Sequence, residues 1–381
     1  MRKIIFFLLS AALLTAPCAA AEEPPAADDF SLGCSAAALM EAETGTLLFA
    51  KNEHAHLSPA SVTKVMTLLL VAEAVDSGAV GENDMVTASS RAASMGGSQI
   101  WLKEGESMSV SEMTKCVAVV SANDCAVALA EHLCGSEAAF TARMNARCAE
   151  LGMADTHFTN CTGLFEDPEH YTCAYDIALM SRELLRHEFV RQFATIWTDT
   201  IRGGAFGLTN TNKLVRFYPD CTGLKTGFTS TAMFCLAASA RREGVEYIAV
   251  VLHDETSQRR FDDARTLLDH AFANYTLVRP EPEGELSVPV RLGETERVAL
   301  TPGENAAAVV PRAALGELVS SLELPESVAA PVAAGDALGQ LTLRRGDEVL
   351  ARVPLLAAGD VAHIRLLPVW GALLRALCGQ E

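Results

Sequence analysis

The sequence predicts an α/β (α+β) body, then a small all-β domain, then a C-terminal amphipathic helix. Three observations carry this. Strand patterns, a block of helical patterns, strands again and a closing helix follow one another from Ser35 to Tyr275. Beyond Leu277 the chain changes to short alternating runs separated by Gly, Pro and Asp turns. In the last segment apolar residues recur at helical spacing. An alternation of strands with a helical block implies a mixed layered body, and many short strands imply a β module.

The elements follow in order. "MRKIIFFLLSAALLTAPCAAAEEPP" opens with Arg2 and Lys3, continues with an apolar run from Ile4 to Ala16 and ends in small residues at Ala19–Ala21. This is the three-part pattern of a secretory signal, residues 1–21, and its apolar run is short for a bilayer span. A lipoprotein signal at Cys18 fits less well, because Pro17 precedes it. The leader "EEPPAADD" is polar and Pro-rich. Two strands then meet at Glu43-Thr44-Gly45, and "VTKVMTLLLVAEA" reads as a buried helix, apolar all round, stopping near Gly78. Two helices flank an interruption at Ser121-Ala122-Asn123. An amphipathic helix lies between Ser136 and Gly152, and another begins near Tyr175, with Asp176 capping or bracing it. Strands return from Gly223 to Asp254, and "RFDDARTLLDHAFANY" closes the body as a helix. The expected organisation is a signal over 1–21, a catalytic body over 22–276, a β-rich domain over 277–362 and an amphipathic helix over 363–381. That last helix carries Leu366, Trp370, Leu373, Arg365 and Arg375, a composition suited to a membrane interface.

Composition excludes one class. The 381 residues carry a formal net charge of −18, so a phosphate-binding, nucleic-acid surface is not expected. Of eleven cysteines, ten lie beyond the signal, without CxxC pairs, and buried free thiols are expected; Cys221 and Cys235 flank a hairpin and are the one pair that could face each other. His54, His56, His157 and His170 form no defensible metal set, and His157 and His170 are expected to be structural or substrate-adjacent.

The chemistry concentrates in three short motifs. In "PASVTKVMT", Ser61 and Lys64 stand three residues apart and share a helix face. A serine hydroxyl needs a base beside it, and a lysine becomes one only when burial and a neighbouring cation lower its pKa. The apolar helix supplies the burial, and Lys225 of "KTGF" is the expected second cation. Thr226 adds a hydroxyl and Gly227 permits close approach of an anionic ligand. Between these motifs, Ser121 is a candidate proton relay and Asn123 a candidate amide holder. Each triplet alone occurs by chance; three in order, at element junctions behind a signal peptide, are specific.

With "GGSQIWLKEGE", "ELGMADTHFTNCTGL", "HYTCAYDIALMSRELL" and "NTNKLV" in the same order, the sequence resembles the penicillin-binding D-alanyl-D-alanine carboxypeptidases, low-molecular-mass serine peptidases of bacterial cell walls. The resemblance implies a penicillin-recognising serine transpeptidase/β-lactamase-like body, a β domain and a membrane anchor on the outer face of the cytoplasmic membrane. It implies Ser61 as acylated nucleophile, Lys64 as base, Ser121 as relay and Asn123 on the peptide amide. Lys225, Thr226 and Arg260 would hold the terminal carboxylate, and the backbone N–H groups of Ser61 and Phe228 the oxyanion. The implied substrate is the D-Ala-D-Ala end of a peptidoglycan pentapeptide, β-lactams are implied inhibitors, and no cofactor is called for. The sequence departs from the family at Met233, where a glycine is usual, and at Cys161, where a proline is common. Two rivals stand beside this reading. A class A-like β-lactamase would need a Glu-x-x-Leu-Asn stretch, which "EDPEHY" with Glu166 and Glu169 lacks; a catalytically weak wall-binding scaffold would not need all three motifs.

Overall fold

The computed structural model describes residues 31–282, 284–303, 307–364 and Trp370. The expected signal lies outside the described residues, and so does the expected C-terminal helix apart from His363, Ile364 and Trp370. The expected start of that helix at 363 is corrected: His363 bridges Gly293 and Ile364 donates its N–H to the Leu292 carbonyl at 2.9 Å, so both residues pair with the β module.

A five-stranded sheet forms the centre of the body. Strands β1 (Ala36–Glu41), β2 (Leu47–Lys51), β3 (Cys221–Thr229), β4 (Met233–Arg242) and β5 (Val245–Asp254) lie in the order β2-β1-β5-β4-β3, all antiparallel. The inner strands carry near-continuous apolar runs, "FCLAASA" and "YIAVVL", because both faces of the sheet are covered. Ala36, Ala38 and Met40 join one core with helices α1 (Lys64–Asp76), α2 (Val110–Val120), α3 (Asn123–Cys134), α4 (Glu137–Glu150) and α5 (Ala174–Leu184). Ala37 and Leu39 point the other way, into a second core with Phe261, Leu267 and Leu268 of α6 (Ser257–Asn274). Alternation along one strand thus supplies two layers of helices.

Helix ends follow local chemistry. Ser109, Ser136 and Thr256 accept the N–H groups of Glu112, Ala139 and Arg259, capping α2, α4 and α6. At α5 the expectation for Asp176 is half right: the Cys173 thiol caps the helix, while Asp176 accepts from the Asp155 N–H and the Thr156 hydroxyl and braces a neighbouring loop. The helix expected from Val62 begins as a 3₁₀ turn, Ala60–Thr63, before α1 proper.

The β module forms a six-stranded sheet in the order Leu318–Glu323, Ala337–Arg345, Glu348–Ala357, Arg297–Pro302, Ser287–Arg291 and Val328–Ala329. It has its own core of Val288, Val298, Leu341, Val353 and Leu355. A separate pairing joins Tyr275–Val278, which runs across the 276/277 joint, to Ala308–Pro311.

The hairpin register corrects the cysteine pairing. Cys221 stands opposite Ala240 and Cys235 opposite Gly227, so the two thiols lie at different levels of the ladder, and all nine described cysteines are free. At the hairpin tip Met233 pairs with Thr229 at φ +54°. That left-handed conformation suits glycine and strains a side chain. Met233→Gly is expected to stabilise the protein by about 1 kcal/mol, read as a higher urea midpoint; a lower midpoint would mean that Met233 packing outweighs its strain.

Candidate active site

The turn Ala60–Thr63 lifts Ser61 to the end of α1, where the first residue of the helix is Lys64. Lys64 Nζ donates to Ser61 Oγ at 3.0 Å and to the Thr162 carbonyl at 2.8 Å. The lysine is wholly buried. Burial pushes its pKa down to about 7, against smaller opposing effects of Cys161 and Asp124. Here one expectation is corrected. Lys225 is not what lowers Lys64; burial does that, and it is Lys225 that falls well below its ordinary value, through its own burial first and then through Lys64 and Arg260. A buried ammonium loses hydration whatever its neighbour, and the mutual repulsion falls on the amine that is harder to protonate.

The carbonyl that holds Lys64 is itself fixed. Asn160 Oδ1 accepts the N–H groups of Thr162 and Gly163 at 3.1 and 2.7 Å. Gly163 has φ +68°, and a Cβ there would lie 1.9 Å from the Ala60 carbonyl oxygen. The turn that carries Ser61 has a second brace. His170 Nδ1 accepts the Thr159 N–H, which leaves Nε2 to donate to Thr63 Oγ1 at 2.8 Å, and Thr63 donates in turn to the Ala60 carbonyl at 2.8 Å. Burial lowers the His170 pKa to about 4, so the ring stays neutral and keeps this tautomer. Sequence reasoning placed His170 in a structural or substrate-adjacent role but missed Thr63, Asn160 and Gly163.

Ser121 caps α2 at φ +65°, and Asn123 opens α3. Asn123 is held by its N–H on the Ser98 carbonyl at 2.7 Å and by Nδ2 on the Gly96 carbonyl at 2.8 Å. Ser121 Oγ and Asn123 Oδ1 are buried and find no hydrogen-bond partner among the described residues. Such atoms are costly unless a ligand group meets them.

The third side is β3, an edge of the sheet. Its Gly227 packs against the turn that carries Ser61: a Cβ there would lie 2.5 Å from the Pro59 carbonyl oxygen and 3.2 Å from the Ser61 nitrogen. Lys225 Nζ is buried and donates to the Thr226 carbonyl at 3.0 Å. Thr226 Oγ1 donates to Thr211 Oγ1 at 2.7 Å, giving a role to the "NTNKLV" stretch that its sequence alone did not disclose. Phe228 is exposed and stacks on Phe234. Arg260 reaches the same strand from below. Its guanidinium donates to the Gly227 carbonyl at 2.9 Å and to Ser257 Oγ at 3.3 Å, lies against Phe234 and Phe261, and leaves Nε without a partner among the described residues. Glu166, the residue a lactamase reading would favour, is exposed and accepts from Ser230 Oγ at 2.9 Å.

With this geometry in place, comparison with known proteins is decisive. The D-alanyl-D-alanine carboxypeptidase family model matches residues 20–256. The chain belongs to the D-alanyl-D-alanine carboxypeptidase family. The C-terminal domain of penicillin-binding protein 5 matches residues 275–363. The D-alanyl-D-alanine carboxypeptidase DacF of Bacillus subtilis is 40% identical over 86% of this chain and 85% of its own length. DacD of Escherichia coli is 32% identical over 85% and 86%. Penicillin-binding protein 5 of Haemophilus influenzae superposes with a TM-score of 0.76 at 28% identity, over 88% of this chain and 100% of its own. Penicillin-binding protein D2 of Listeria monocytogenes, solved in an ampicillin-bound form, gives 0.59 at 30% identity over 64% and 100%.

Two outcomes test the site. Gly163→Ala is expected to slow acylation of Ser61 by a labelled β-lactam by about tenfold or more, since the Thr162 carbonyl must shift with the loop; an unchanged rate would separate that loop from Lys64. Lys64→Met is expected to stabilise the fold by about 1–3 kcal/mol in urea while abolishing acylation; a less stable variant would mean that the buried amine is not a cost.

Proposed function

We propose that this serine peptidase removes the terminal D-alanine from peptidoglycan pentapeptide stems through an ester on Ser61. The reading rests on one observation above the others: a buried amine with a pKa near 7, 3.0 Å from a serine hydroxyl. Neutral Lys64 takes the Ser61 proton, and Oγ attacks the carbonyl of the terminal peptide bond. Backbone N–H groups of Ser61 and Phe228 stabilise the tetrahedral oxyanion. Ser121 passes the proton to the leaving nitrogen, and D-alanine departs. Water then hydrolyses the ester. Asn123 offers its Oδ1 to the substrate amide, while Lys225, Thr226 and Arg260 attract the terminal carboxylate. A β-lactam enters the same path and stays on Ser61. The chemistry calls for no metal or organic cofactor.

The signal over 1–21 and an amphipathic helix beyond Ile364 complete the reading: an exported enzyme held by its tail on the outer face of the cytoplasmic membrane, with its β domain between. No helix among the described residues is long and apolar enough to cross a membrane. The lactamase reading loses ground because Glu166 faces solvent and Ser230.

Labelled penicillin is expected to tag the wild type and not Ser61→Ala, with D-alanine release from a pentapeptide lost in parallel; a persistent tag would overturn the assignment. The pH dependence carries a definite sign. Protonated Lys64 cannot accept a proton, so kcat/KM should rise with pH through about 7, the folded pKa of Lys64. A profile flat between about pH 5.5 and 8.5 would remove Lys64 as the base.

A further inference from the structure

We propose that Cys34, Asp254 and Asp263 bind one zinc ion beneath the surface, tying the start of β1 to the root of α6. Their ligand atoms lie within 4.8 Å of one another. The residues come from three places: Cys34 just before β1, Asp254 at the end of β5 and Asp263 in the second turn of α6. They are 1%, 0% and 6% exposed. Asp263 is fixed, since its Oδ2 accepts the N–H groups of Gly33 and Cys34 at 2.6 and 2.9 Å.

Asp254 supplies the independent sign of a ligand. Both of its carboxyl oxygens are buried without a hydrogen-bond donor among the described residues. A lone buried carboxylate of this kind is costly until a proton or a cation meets it. The charges of Arg259 and Lys51 reach Asp254, yet neither side chain donates to its oxygens, and the Lys51 ammonium donates instead to the Leu32 and Cys34 carbonyls at 3.0 and 2.6 Å. A proton shared between the two carboxyls serves one Asp254 oxygen and leaves the other bare. A divalent cation meets both carboxylates and the thiol together, the thiol losing its proton to solvent.

The donor set selects the metal. A thiolate favours zinc over magnesium or calcium, and two carboxylates with a thiolate leave a fourth position for water. Zinc bonds of about 2.0–2.3 Å need the ligands to close in by roughly an ångström, within reach of side-chain rotation. The two other ligating clusters among the described residues are already engaged. Asp155 gives its two oxygens to His54 and His56 while Cys173 caps α5, and Arg147 bonds both Glu73 and Glu183 beside His187. The cluster lies outside the hydrogen bonds of Ser61, Lys64 and Lys225, although the Asp254 charge reaches Arg260.

The full chain, stripped with a chelator, would be titrated with zinc and separately with cobalt. One zinc should bind per chain, and at a hundredfold excess over its Kd the Tm should rise by about 5 °C or more. Cobalt should give a thiolate-to-metal charge-transfer band in the near ultraviolet. Both signals should vanish in Cys34→Ser, whose circular dichroism and penicillin labelling report that it is folded, and Asp254→Asn should weaken zinc at least tenfold. No cobalt band, or a zinc response that survives Cys34→Ser, overturns the site. So does an Asp254→Asn variant that is more stable than wild type yet responds to zinc as wild type does, the mark of a shared proton.

Discussion

Everything in this body is arranged around keeping one amine out of water. A lysine whose pKa falls from 10.5 to about 7 is held in the fold at a cost of about 5 kcal/mol, since each pH unit corresponds to about 1.4 kcal/mol. That is comparable with the whole stability of a typical domain. The cost appears as pH falls from 10.5 towards 7, where the unfolded chain takes up a proton and the folded chain resists it. The continuous apolar face of α1 offsets it: every residue from Lys64 to Ala72 is buried. The helix is therefore apolar on all sides for a chemical reason. Any polar side would admit water and return Lys64 to its ordinary basicity.

A second consequence is electrostatic. Lys64, Lys225 and Arg260 are three buried cationic side chains, and the pKa of each is lowered mainly by desolvation. Asp124, the carboxylate whose field reaches Lys64, is occupied by the N–H groups of Ile100, Leu102 and Cys125. The pocket is thus poor in negative charge that is free to pair. A ligand bearing a carboxylate brings what the protein withholds, and its arrival near Lys225 also makes a second positive charge easier to bear. A neutral ligand gains neither, so the proposed role of Lys225 and Arg260 carries a physical preference for a chain end over a chain interior.

How much of this could be read from residues alone depends on distance along the chain. Ser61 with Lys64, Ser121 with Asn123, and Lys225 through Phe228 are local patterns, and local geometry brings each set to one place. The strands, the helices and the helix break at Ser121 were legible for the same reason, since periodicity and caps are local. What stayed hidden spans about 100 residues: Thr162 on Lys64, His170 on Thr63, Cys161 on Thr67. No spacing rule encodes these. The assignment of the pKa shift to a second cation failed because sequence shows which charges exist, not how completely each is dehydrated. The Cys221–Cys235 pairing failed on register, where a few residues of offset decide everything.

Backbone strain follows the same geography. Ala60 and Ser121 both sit at positive φ, 47° and 65°, without being glycines. One immediately precedes the proposed nucleophile; the other is itself the proposed relay. Such conformations persist only where surroundings over-determine them. Ala60 is pinned by Thr63 on its carbonyl, by the close approach of Gly163 and by Gly227 against the adjoining turn. Ser121 is pinned by its N–H on the Cys116 carbonyl and by Asn123 on Ser98 and Gly96. Each strained residue is thus tied to a glycine-bearing segment that arrives from elsewhere in the chain. The glycines matter because they let backbone approach backbone where a Cβ would hold it away, so the rigidity of the site is built from close main-chain contacts more than from side-chain packing. That construction explains why Ser61 can stand at a strained turn beside an unfavourably buried amine and still keep a 3.0 Å hydrogen bond to it.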